Sequence, residues 1–223
     1  DSVQDVTLFA KYTLRADEMF LNRMIGGTFE GSNDPDFREK EVLYLINEKP
    51  KRLQTVVQSY SSKSYRYVRY IGPKDSHCNI AEAAFYTPND TASLKGKVIG
   101  TPGCFQKDGS HEYTNVFDGD VTTSFDYIEP SGGWSGLDLG TPKQIGRIVY
   151  TPRSYDNYIR SGDDYELFYC ARRNNWKSLG DQRSKADSLI YIKIPVNALL
   201  LLCNNTRGIQ ERIFVYTAAE QIW

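Results

Sequence analysis

The run Tyr65-Arg-Tyr-Val-Arg-Tyr-Ile71 constrains the fold more than any other stretch of the chain. Large apolar residues alternate with arginine, which is the period of a strand with two unlike faces and not that of a helix. Strict alternation places Tyr65, Tyr67, Arg69 and Ile71 on one face, and Arg66, Val68 and Tyr70 on the other. Strand-length runs recur at Met24 to Asn33, Glu41 to Ile46, Leu53 to Val57, Lys95 to Thr101, Ile145 to Tyr150, Tyr165 to Cys170, Leu189 to Ile194 and Ala198 to Cys203. Turn residues separate them, among them Asn33-Asp-Pro-Asp36, Gly72-Pro73, Thr87-Pro-Asn-Asp90 and Pro102-Gly103. Short strands punctuated in this way predict an all-β fold of antiparallel sandwiches rather than α/β units. A short helix over 15–23 and a polar hairpin around Asn174 and Asn175 complete the expected elements.

Composition excludes several classes of function. The formal net charge is −1, and Lys and Arg are scattered, so no basic field exists to draw in nucleic acid. No apolar run approaches the roughly 20 residues of a membrane helix. The first residue is Asp and no signal peptide is visible, which reads as a processed chain or a fragment of a longer one. Cys78, Cys104, Cys170 and Cys203 show no zinc spacing. Cys170 and Cys203 end apolar runs and are expected to be buried thiols, with a disulfide between distant strands as the alternative in an oxidising compartment. Catalysis has little to stand on. His77 and His111 are the only histidines, and no nucleophile elbow, zinc-helix motif or phosphate-binding glycine loop is present. Asp163 and Asp164 are adjacent on a strand and point to opposite faces, so no enzyme site is expected from them.

One loop carries a different chemistry. In Asn115-Val-Phe-Asp118-Gly-Asp120-Val-Thr-Thr123, an Asp-Gly turn is followed by further oxygen donors within a few residues. Hard cations bind where carboxylates, hydroxyls and carbonyls converge from a curled backbone. The strand-like Trp134-Ser-Gly-Leu-Asp-Leu-Gly140 follows.

This loop and strand resemble the discoidin domain, also called the coagulation factor 5/8 type C domain, and the bacterial family 32 carbohydrate-binding modules. The resemblance rests on Asp118-Gly-Asp-Val-Thr-Thr123, on Leu137-Asp-Leu-Gly140, on Tyr150-Thr-Pro-Arg153, and on Tyr165-Glu-Leu-Phe-Tyr169 followed by Trp176. It implies a galactose-binding-like jelly roll. It also implies a structural Ca2+ held by Asp118 and Thr123 through side chains and by Asn115 and Asp120 through carbonyls. The family's last-strand ligand is the Glu of an Ala-Glu pair. Glu211 stands nearest to it in the second half of the chain but is displaced by one position, so either a bulge restores its face or Arg212 replaces the cation.

A second resemblance concerns the end of the first half. Asn79-Ile-Ala81-Glu82-Ala-Ala-Phe85-Tyr86 is similar to the family's final strand, and the pattern restarts after Thr87 to Leu94. The chain is therefore expected to hold two sandwich units in tandem, a diverged discoidin-like copy over 1–90 and a clearer one over 91–223, repeating at about 130 residues. The resemblance implies a non-catalytic glycan-binding accessory module of a secreted, periplasmic or surface protein. A sugar site needs an aromatic platform beside planar polar groups. The expected site is the loop carrying Arg153, Tyr155, Asn157 and Tyr158, with Trp134 and Asn205 alongside. The alternative is a structural or protein-interaction pair packed on a neighbouring domain. A lipid-binding role wants apolar loop spikes, of which Tyr155, Tyr158 and Ile159 are a weak version.

Overall fold

In the computed structural model, which describes residues 2–14, 18–51, 53–171 and 175–223, the chain opens with β1 (Val3–Leu8) and one turn of helix, α1 (Glu18–Asn22). The expected helix begins at 15–17, which lie outside the described residues, as does Asn174 of the expected hairpin. Then follow β2 (Thr28–Ser32), β3 (Lys40–Leu45), β4 (Thr55–Gln58), β5 (Ser64–Ile71), β6 (Glu82–Tyr86), β7 (Lys97–Gly100), β8 (Trp134–Gln144) and β9 (Arg147–Thr151). The last part of the chain forms β10 (Asp164–Cys170), β11 (Trp176–Arg183), β12 (Leu189–Pro195), β13 (Leu200–Asn204), β14 (Ile209–Gln210), β15 (Val215–Thr217) and β16 (Glu220–Ile222). The fold is all-β, and among the described residues the sheet pairings are antiparallel and no sheet closes into a barrel. No described helix is long and apolar enough to cross a membrane.

The chain divides into two units. One is continuous, residues 17–156, here the central unit; the other joins residues 1–16 to 157–223, here the discontinuous unit. The boundary expected at 90/91 falls inside the central unit. There β5 pairs with β8 and β6 pairs with β9, so strands from before Thr87 hydrogen-bond to strands from beyond Leu94. Thr87 to Leu94 is a loop between two strands of one unit, and Leu94 N–H donates to Phe85 O.

The central unit has a five-stranded sheet, β3-β2-β5-β8-β7, and a three-stranded sheet, β4-β9-β6. Phe29, Val68, Tyr70 and Leu137 from the first meet Phe85, Ile148 and Tyr150 from the second in one sandwich-like core. Tyr65 joins that core, against strict alternation. The register between β5 and β8 is irregular at Tyr65/Tyr67, where β8 runs from Lys143 to Asp138, and at this break Tyr65 lies in the core with Val68 and Tyr70. Gly31 is required opposite it, because a Cβ there would lie 2.6 Å from the Tyr65 ring.

The discontinuous unit pairs β1 with β12 and builds a second sheet, β11-β10-β13-β14, with β15-β16 as a terminal hairpin. Its core gathers Val6 and Leu8 of β1 with Tyr165, Leu167, Tyr191, Leu202 and Phe214. The four cysteines are free thiols; Cys78, Cys104 and Cys203 are buried and Cys170 is half-buried. Burial pushes the Cys78 thiol up to about 12, which makes it inert as a nucleophile.

Candidate functional site

The Asp-Gly loop of the central unit is built by its own side chains. A 3-10 turn, Tyr113–Phe117, sinks Val116 into the core and delivers the chain to Asp118. Gly119 takes a φ of 83°, the left-handed region that glycine accepts without cost. Asp118 Oδ1 accepts from Asp120 N–H at 2.7 Å, and Thr123 Oγ1 donates to Asp118 Oδ2 at 2.7 Å. The Asp120 carboxylate turns instead to Thr122 N–H and Oγ1, at 2.9 and 2.6 Å. The Asn115 side chain donates to Ser110 O and Ser124 O, and its carbonyl accepts Asp118 N–H.

The acidic residue that faces this loop within the central unit is Glu82, at the head of β6. Its Oε1 accepts Gly119 N–H at 2.9 Å. Burial, and then a hydrogen bond shared with the Asp118 carboxyl, push the Glu82 carboxyl up to about 9. Glu211 belongs to the discontinuous unit, where its N–H donates to Leu202 O, and Arg212 there lies over the Tyr12 ring. The sequence signal for Glu82 is the Ala81-Glu82 pair, but β6 precedes the loop, so chain order alone does not connect the two.

Among the described residues, no three His, Cys, Asp or Glu side chains converge as a metal group. The loop offers two carboxyls, one hydroxyl and its carbonyls. All are oxygen donors, which fit a hard cation in kind and require further carbonyls or water to fill its shell.

A second cluster surrounds Arg153. Its Nη1 meets Asp126 Oδ2 at 2.5 Å, and Asp126 Oδ1 accepts from Asn79 Nδ2 at 2.7 Å. Asn79 Oδ1 in turn accepts from Arg23 Nη1 at 2.6 Å. The Arg153 guanidinium lies over Phe20 at 4.7 Å, and the Phe20 ring sits 5.2 Å from that of Tyr155. Tyr155 is 60% exposed. Arg153, paired with Asp126, and the exposed Tyr155 thus both pack on the buried Phe20 ring. Phe20, Arg23, Asn79 and Asp126 carry no binding signal by residue type until the fold gathers them around Arg153.

Asn157 and Tyr158 belong to the discontinuous unit and are buried. Asn157 Oδ1 accepts Lys11 and Tyr12 N–H, and its Nδ2 donates to Tyr12 O, so the side chain clips the N-terminal segment. Asn205 belongs to the same unit, where its N–H donates to Asp164 O. Trp134 opens β8 in the central unit, beside Phe37 and Arg69.

No protein-family model, curated protein or solved structure matches this chain.

Proposed function

We propose that the chain is a non-catalytic glycan-binding region of a larger secreted, periplasmic or surface protein, with the central unit as a discoidin-like, galactose-binding-like jelly roll. In this reading the strand equivalent to the family's Ala-Glu strand is β6, which stands ahead of the Asp-Gly loop in sequence. The observation that carries the binding role is that the exposed Tyr155 and an Arg153 paired with Asp126 pack on the same ring, Phe20. An aromatic face stacks on the CH side of a sugar while a fixed guanidinium donates to its hydroxyls. A shallow site of this kind exchanges water hydrogen bonds for similar ones. Its Kd is expected to be micromolar to millimolar, about −4 to −8 kcal/mol. A glycan array followed by titration calorimetry tests it. Tyr155→Ala should cost at least tenfold in affinity with the circular dichroism spectrum unchanged. Binding that survives the substitution sinks this site.

The loop of Asp118, Thr123 and Glu82 is proposed to hold Ca2+ as a structural ion. When bound, the ion supplies a positive charge that lets both carboxyls ionise. Without it, Glu82 has a folded-state pKa of about 9 against an ordinary 4.5. A raised carboxyl contributes stability below pH 4.5 and loses it as pH rises through about 9. In chelator, the melting temperature should therefore fall across that window, and excess Ca2+ should remove the fall. Glu82→Gln should flatten the chelator profile and abolish the Ca2+ response. An identical fall in Glu82→Gln would assign it to other groups.

The second reading, an interaction module, is favoured by one feature of the discontinuous unit. On β12, Ile190 and Ile192 are 62% and 65% exposed, so both faces of this strand are apolar.

A further inference from the structure

The outer face of the central unit's five-stranded sheet is not an ordinary solvated face. Its register sets Glu30 beside Arg69, and Arg69 beside Gly136, with Tyr67 and Trp134 on the neighbouring rows. Glu30 and Arg69 are only 3% and 8% exposed. Glu30 Oε2 accepts from Arg69 Nε and Nη2, both at 2.8 Å, and Lys40 Nζ reaches Glu30 Oε1 at 2.9 Å. Gly136 keeps the floor low between Trp134 and Asp138: a Cβ there would lie 2.2 Å from Val68 O and 2.8 Å from Arg69 Cβ.

The cover over this face includes a single ring from the β2–β3 turn. Phe37 is 3% exposed. Its ring lies 5.7 Å from Trp134 and 6.4 Å from Tyr67, with the Arg69 guanidinium carbon 4.0 Å from its centre and 5.2 Å from that of Trp134. To reach there, Phe37 takes a φ of 53°, a region that a bulky side chain enters only at a cost. The turn itself needs no ring. Asp34 caps it by accepting Asp36 and Arg38 N–H, and Phe37 N–H donates to Asp34 O. Glycine would hold the same backbone without strain.

Charge follows the same division. On the sheet, Lys40, Arg66, Arg69 and Lys97 stand against Glu30 and Asp138, an excess of two positive charges. The strap over it, Asp34-Pro-Asp-Phe-Arg-Glu39, has three carboxylates and one arginine, an excess of two negative charges. An acidic segment presents an apolar ring to a basic aromatic face.

We infer that Phe37 is the built-in occupant of a second ligand surface formed by Trp134, Tyr67 and Arg69, and that its ligand is a sugar ring bearing a carboxylate, a uronate residue of an acidic polysaccharide. The sugar class rests on the glycan-binding reading; the site and the sign of the charge do not. The ring's CH face replaces the phenyl on Trp134, and its carboxylate meets Arg69 and Lys40. Because the closed strap occupies the surface, the apparent affinity of the native chain is the intrinsic affinity multiplied by the fraction in which Phe37 is undocked.

The test is titration calorimetry of the full chain with oligogalacturonate and with a neutral oligogalactose of equal length. Phe37→Gly should bind oligogalacturonate at least tenfold more tightly than the native chain, with no gain for the neutral oligomer. Trp134→Ala should abolish the gain, and Tyr155→Ala should leave it intact. A folded Phe37→Gly with no gain overturns the inference, and equal gains for both oligomers overturn the acidic ligand. If Phe37→Gly loses its native circular dichroism spectrum, Pro35→Gly loosens the turn with the ring retained and is held to the same outcomes. Tyr155-dependent glycan binding without a Phe37→Gly gain sinks the strap and leaves the proposed function standing. The reverse pattern sinks the Tyr155 site alone.

Discussion

Glu30→Ala is expected to destabilise the central unit by about 3–5 kcal/mol, the usual cost of removing one partner from a buried ion pair. The reason is Arg69. Arg69 is 8% exposed, bound by Glu30 and covered by the Phe37 ring with Trp134 beside it, so its guanidinium cannot move to water without dismantling the strap. Lys40 matters less, because its side chain is 39% exposed and stays solvated. Urea denaturation measures the loss as a fall in midpoint at unchanged slope. The double replacement Glu30→Leu with Arg69→Met is the control. It removes both charges and keeps the volume, and should recover most of the loss. A double variant as unstable as Glu30→Ala would show that packing, rather than the stranded charge, carries the effect.

Asn157→Ala is expected to destabilise the discontinuous unit by about 2–5 kcal/mol, since it withdraws the acceptor from two N–H groups and a donor from one carbonyl in a buried setting. The bonds are 2.9 Å from Lys11 N–H, 3.0 Å from Tyr12 N–H and 3.1 Å to Tyr12 O. They join residues 145 and 146 apart in sequence, at the point where the chain re-enters this unit. Tyr155→Ala, two residues away, should shift the urea midpoint little, because its ring is 60% exposed. Equal midpoints for the two variants would return Asn157 to the role of a surface ligand residue.

That pair shows where reading the sequence stops. Tyr155 and Asn157 sit in one polar, aromatic stretch, and composition assigns both to a loop surface. Only the docking of residues 11–12 onto Asn157 makes one a clip while the other stays exposed. The same limit applies to Glu82 and Glu211. Each is a glutamate near an apolar strand, and either can be written into the cation loop by pattern alone. The pairing of β6 with β9 brings Glu82 to Gly119.

Local chemistry is enough for the all-β class and the position of most strands, because alternation and turn propensity act within a few residues. It also determined the Asp118 loop, whose bonds to Asp120 and Thr123 are internal to the motif. The tertiary structure decided what has no local cause. Strand partners are chosen by burial across the whole chain, so β5 joins β8 across the expected boundary and two apparent halves become one interrupted unit and one insertion. Tyr65 lies in the core at the break in register against that partner, and a strained turn sets Phe37 over Arg69. In each case the free energy comes from surfaces that meet only after distant segments have paired, and no run of neighbouring residues encodes which surfaces those are.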